Sequence, residues 1–141
     1  MNRYRNDPEF LRLFDQVFEL KNAEDHNGAR RALLQIVKKW PDAAAAYGVL
    51  GGECYLLGRY LEAAKYFERN TKLSSRSELA STGLFHSLWK IGKKAAAIKE
   101  MNRFTASYPS EEYELIKKEF GIASEIPKKG RSRKQGRKGQ A

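Results

Sequence analysis

The sequence has a single cysteine, Cys54, and two histidines, His26 and His86. One cysteine cannot close a disulfide within a chain, so cysteine usage gives no sign of a secreted scaffold. So few thiol and imidazole groups leave little material for a metal site, and neither Cys-x-x-Cys nor His-Glu-x-x-His spacing occurs. Gly-x-Ser-x-Gly and the phosphate-binding glycine loop are missing as well. Gly51-Gly52 is a glycine pair without the preceding strand that a dinucleotide site requires. The expectation is a non-enzymatic chain with no cofactor and no metal. No apolar run is long enough to cross a bilayer, and Met1 to Phe10 are polar and charged with no apolar signal core. A soluble, cytoplasmic protein with no membrane partner is expected.

Acidic residues are missing from one end. The 141 residues carry 27 basic and 17 acidic side chains, a net charge of +10. From Pro127 to Ala141 there are seven cations, Lys128, Lys129, Arg131, Arg133, Lys134, Arg137 and Lys138, and no acid. Residues 1–126 therefore hold 20 basic and 17 acidic residues, a net +3, so the high pI belongs mainly to the tail. The tail has Gly130, Gly136 and Gly139 and no large apolar residue, so it buries too little surface to fold alone. Its cations could neutralise nucleic-acid phosphates, but it has no aromatic ring to stack on bases. The alternative is a solubilising tail.

What the chain does have is a period. Ala29, Ala63 and Ala97 are separated by steps of 34, Pro41 and Pro109 by two such steps with Ser75 between them, and Gly58 and Gly92 by one. The repeating units are 10–43, 44–77 and 78–111, after an N-terminal arm of residues 1–9. Apolar residues recur at helical spacing inside each unit, as in Phe10, Leu13, Phe14, Val17 and Phe18. Helices are predicted near 8–22, 26–39, 43–57, 60–73, 77–91, 94–107 and 111–120. Asp7, Asp42, Ser75 and Ser110 are the expected caps, with Pro8 at the first helical position. Gly58 and Gly92 make turns, and Gly121 ends the last helix. That last helix, within 111–126, would cover the apolar end of the stack, and 127–141 is the basic tail.

In the middle unit, Tyr47-x-x-Leu50-Gly51-x-x-Cys54 is followed by Gly58, Tyr60, Ala63 and Phe67. This pattern resembles the tetratricopeptide repeat family, with Cys54 in place of the usual tyrosine and Ser75 in place of the usual proline. Small Gly51 and Ala63 let two helices approach while Leu50 and Phe67 fill the space between them. The third unit keeps Leu84, Gly92, Ala97, Met101 and Pro109 but has Phe85 at the glycine site. The first keeps Ala29, Leu33 and Pro41, with Gln16 and Val17 replacing the Leu-Gly pair. The resemblance implies an all-α, right-handed solenoid of three helix pairs plus a C-terminal capping helix. Cys54 reads as a core residue rather than a nucleophile.

The resemblance also implies a partner groove on the first helix of each pair. Carried onto this sequence, its positions are Phe14, Phe18 and Lys21, then Val49, Gly52, Tyr55 and Leu56, then Thr82, Gly83, His86, Trp89 and Lys90. Gly48, Gly52 and Gly83 would leave room in the middle, and Phe18, Tyr55 and Trp89 would clasp an apolar side chain. Packing between units is the other reading of each aromatic. Family members that clamp a terminal carboxylate use cationic and amide side chains where this chain has Phe14, Phe18, Val49, Leu79 and Gly83, so that mode is not expected. The leading functional reading is an adaptor that binds a peptide or helix of another protein. The alternatives are a nucleic-acid-associated protein acting through its tail, and a dedicated inhibitor or immunity-type partner of one protein.

Overall fold

The computed structural model describes residues 3–123, so the basic tail lies outside the described residues. After a short 3-10 segment, Arg3–Asn6, come seven α-helices: α1 Pro8–Asn22, α2 His26–Lys39, α3 Ala44–Leu56, α4 Tyr60–Leu73, α5 Glu78–Lys90, α6 Lys94–Ser107 and α7 Glu111–Phe120. All seven predicted helices are present, and no strand occurs among the described residues. The chain divides into a six-helix unit ending at Pro109 and a second unit beginning at Ser110.

Side-chain caps mark where α1, α2 and α5 begin. The Asp7 carboxylate accepts the Glu9 N–H at 2.9 Å, and Pro8 opens α1. Asp25, not singled out in the sequence, does the same for α2 by accepting the Gly28 N–H at 2.9 Å. Two expected caps are replaced. Asp42 does not cap α3; it stands 3.6 Å from the Arg69 guanidinium, and Ala43 occupies the cap position with no side-chain bond. The cap of α5 is Ser77, whose hydroxyl accepts the Ala80 N–H at 3.1 Å, not Ser75. The physical reason is shared: four-residue turns close between Trp40 and Ala43 and between Ser74 and Ser77, with N–H to C=O distances of 3.1 and 3.0 Å. Asp42 and Ser75 lie inside those turns, so the helices start later than the cap chemistry suggests.

Within each pair the hairpin closes identically. The N–H groups of Asp25, Arg59 and Lys93 reach back to the carbonyls of Leu20, Cys54 and Leu88 at 2.8, 2.8 and 2.9 Å. That closure requires a left-handed residue just before, supplied by Gly58 at φ 77° and Gly92 at φ 83°, and in the first pair by Glu24 at φ 60°. In the second unit, Ser110 caps α7 through the Tyr113 N–H at 3.0 Å, and Gly121 ends it at φ 68°.

Ala29, Ala63 and Ala97 are all fully buried, as a small residue at a helix crossing should be. Leu33, Ile36, Leu50 and Cys54 share one core cluster with Ala29 and Ala63, also without exposure. Burying one such aliphatic side chain contributes roughly 1.5–3 kcal/mol. Phe67 wedges between three helices. Its ring lies where a Cβ on Gly51 of α3 would stand 2.9 Å away, and one on Gly83 of α5 only 2.5 Å away. The aromatic of α4 therefore sets the spacing of its neighbours on both sides.

Candidate partner-binding groove

The 34-residue step puts Phe10, Leu11 and Phe14 of α1 in register with Ala44, Ala45 and Gly48 of α3. Large side chains on α1 thus face small ones on α3, and Leu79 and Thr82 of α5 continue the row. The consequence is a groove of about 800 Å³ lined by all of these residues, with Val49, Gly83 and His86 completing the helical walls. Tyr4 and Arg5 of the 3-10 segment border it, and Asn70 and Ser74 enter from the C-terminal end of α4. Leu11 is 48% exposed and Leu79 84%, so apolar surface is presented at the mouth. The lining contains no carboxylate.

Among the positions expected from sequence, Val49 and His86 line this groove, together with Phe14, Gly48, Thr82 and Gly83. The space beside two of the glycines is already taken. Gly48 receives Asn70 and Gly83 receives Phe67, while Gly52, of these three, has nothing within 4 Å of a Cβ built on it. The remaining positions, Phe18, Lys21, Tyr55, Leu56, Trp89 and Lys90, fall at the C-terminal ends of α1, α3 and α5, beyond the groove lining. Most of these side chains engage one another or near neighbours. Lys21 lies 5.9 Å above the Phe18 ring, Lys90 5.3 Å above Tyr60, and Lys94 5.1 Å above Trp89. Tyr55 meets Tyr60 edge-on at 5.0 Å, and Trp89 stacks on Phe85 at 5.4 Å. Leu56 remains 64% exposed.

Lys21 has a further commitment. Glu53, 1% exposed, lies between the first two helix pairs with its Oε1 2.7 Å from His26 Nδ1. Lys21 Nζ approaches Oε2 at 3.3 Å, an ion pair without hydrogen-bond geometry. A buried carboxylate needs such compensation, so Lys21 and His26 serve to hold Glu53 in place.

Cys54 lies beneath a second charged group. Arg30 donates to Glu62 Oε1 at 3.1 Å, Arg59 donates to Oε2 at 3.1 Å, and the Cys54 thiol lies 3.8 Å from Oε1. Burial pushes the Cys54 thiol up, and the Glu62 carboxylate adds to the shift. A thiol held neutral and covered has the opposite of a nucleophile's environment. Burial also raises Glu62, but the hydrogen bonds and charges of Arg30 and Arg59 outweigh it and leave the carboxyl below its usual range. Among the described residues, no group of three or more His, Cys, Asp or Glu is placed to hold a metal ion. No described helix is long and apolar enough to cross a membrane.

Sequence reasoning did not single out the α4 and 3-10 contributions to the groove, because it followed only the first helix of each pair. One signal was present. Ile36, Asn70 and Phe104 are separated by steps of 34, so an amide occupies a position that is apolar in both neighbouring units.

Residues 15–75 match the tetratricopeptide repeat family. The helix pairs within that segment are tetratricopeptide repeats. The matched segment runs from within α1 to just past α4, and the third pair continues the same register through Gly92 and Ala97. Tetratricopeptide repeats generally mediate protein–protein interaction. A comparison with curated proteins found no match.

Proposed function

We propose that this tetratricopeptide protein is an adaptor whose inner groove receives a segment of a partner protein. The observation that carries the reading is the difference in side-chain size between α1 and α3. Ala44, Ala45 and Gly48 open a trough beside Phe10, Leu11 and Phe14, and exposed Leu11 and Leu79 border it. An apolar trough with a few polar groups at one end suits a docked protein segment better than a small charged metabolite. Leu79→Glu places a charge at the mouth, and its high exposure makes it harmless to the fold. Immobilised full-length protein should therefore retain a partner from native lysate that the Leu79→Glu protein does not. Equal retention by both would remove the groove from consideration.

A second reading is favoured by one observation in the sequence, the seven cations without an acid between Pro127 and Ala141. Full engagement of seven phosphates would give a log-log salt slope of about −5 to −6. Titrating RNA and DNA at two salt concentrations, with and without the tail, tests it. Absence of salt-dependent binding by the full chain would discard it.

A further inference from the structure

We propose that the second helices of the three pairs carry a nucleic-acid surface of their own, on which a ladder of cations holds the phosphates of a duplex. This surface is independent of the groove reading and does not require the tail. The near-balance of charge in residues 1–126 hides a segregation. Helices α2, α4 and α6 hold ten basic and three acidic side chains, a net +7. Helices α1, α3 and α5 hold three basic and five acidic ones, a net −2. Each acid of the second helices already has a cation. Glu62 has Arg30 and Arg59, Glu100 has Arg103, and Glu68 stands 3.8 Å from Lys72. Arg31, Lys65 and Lys99 are exposed, lie one 34-residue step apart, and have no ion-pair partner among the described residues. Lys38, two turns along α2 from Arg31, is equally free.

The clefts between second helices place these cations on one face. Lys65 and Arg69, with Val37 of α2, line a cleft of about 420 Å³ between α2 and α4. One step on, Lys99 and Arg103, with Glu68 of α4, line a cleft of about 290 Å³ between α4 and α6. The two arginines are fixed by a shared device. Arg69 donates to the Pro41 carbonyl at 3.2 Å and Arg103 to that of Ser75 at 3.3 Å, again one step apart. Their guanidinium groups are held in place while 43% and 39% exposed. A lattice of charge that repeats with the fold suits a ligand whose own charge repeats, as a phosphate backbone does. Every aromatic ring on α2, α4 and α6 is buried or half-buried, so bases find no platform and a duplex fits better than a single strand. Among large apolar side chains only Leu61 is exposed on these helices, too little to anchor them in a membrane. Arg31, Lys65 and Lys99 lie outside the groove lining, so a bound duplex leaves the groove open to a protein partner.

The test titrates the full chain with mixed-sequence DNA and RNA duplexes at several salt concentrations. Lys65→Gln with Lys99→Gln should reduce the log-log salt slope on DNA by about 2, and adding Arg31→Gln by about one more. These side chains are exposed and unpaired, so the melting temperature should not change. Arg12→Gln with Lys90→Gln removes the same charge from first helices and should leave the slope as it was. An unchanged slope in the Lys65–Lys99 variant, or an equal loss in the Arg12–Lys90 variant, overturns the ladder. A full chain with its seven tail cations each replaced by glutamine should still bind with a salt-dependent slope. If neutralising the tail abolishes binding, the ladder falls and the tail reading stands. If the unsubstituted chain binds neither duplex, both fall. Phosphatidylserine vesicles should not bind, and vesicles that bind while duplexes do not would make this face a membrane surface instead. A photoreactive side chain at position 65 should give only nuclease-sensitive adducts in lysate. A nuclease-resistant protein adduct there would mean that the face binds protein and would overturn the proposal.

Discussion

Glu24 and Gly58 occupy the same point of successive helical hairpins, and both are left-handed, at φ 60° and 77°. Only glycine adopts that conformation without penalty; an L side chain loses about 1–2 kcal/mol. Glycine returns part of that through its larger unfolded-state entropy. Glu24→Gly should therefore stabilise the protein by about 0.5–1 kcal/mol, and Gly58→Ala should destabilise it by about 1 kcal/mol. Urea unfolding of both variants checks the pair. A loss of stability in Glu24→Gly would mean the glutamate side chain contributes something its backbone strain conceals.

Phe67 and Gly83 give a second test. A methyl group on Gly83 would lie 2.5 Å from the Phe67 ring, whose other side is confined by Gly51. The ring has nowhere to move, so Gly83→Ala should cost about 1–3 kcal/mol. Gly52→Ala, inside α3 with nothing within 4 Å, should raise the midpoint, by about 0.5–1 kcal/mol of stability. Thermal melts that rank the two variants the other way would contradict this packing.

The Arg30–Glu62–Arg59 cluster makes stability pH-dependent. The Glu62 carboxyl is lower in the folded protein than in the unfolded chain, so the unfolded chain binds more protons in acid. Its contribution is present above the unfolded carboxylate value of about 4.3 and is lost as pH falls through the folded value. Because Glu62 is 37% exposed, solvent screening limits the effect to about 0.5 kcal/mol. Arg30→Met should flatten the difference in stability between neutral and acidic pH. An unchanged acid limb in that variant would remove the ion pair from the account.

Cys54 should resist thiol reagents while the protein is folded and react promptly once urea unfolds it. It is completely buried, and its thiol is held neutral. A colorimetric thiol assay reads both rates. Fast modification of the native protein would show that Cys54 is accessible and would reopen its role.

The helices were legible because two independent signals agree. The apolar spacing in α1 and α4 gives the helical period, and the 34-residue step of Ala29, Ala63 and Ala97 gives the register. Local starts were less legible, since Asp42 and Ser75 have cap chemistry but sit inside turns that only the backbone reveals. Glu24 was invisible as a turn residue because side-chain type alone points to glycine. The groove was legible where it depends on first helices, as at Val49 and His86. It was not legible where a second helix contributes, because the reach of Asn70 depends on Gly48 having no side chain.

Site-specific photo-crosslinking tests the central claim most directly. A photoreactive side chain at Leu79 would sit at the groove mouth, and one at Lys65 on the exposed face of α4 outside the groove lining. Illumination in native lysate should yield a discrete partner adduct from position 79 and none from position 65. An adduct from position 65 with none from position 79 would place the interaction surface elsewhere and contradict the groove.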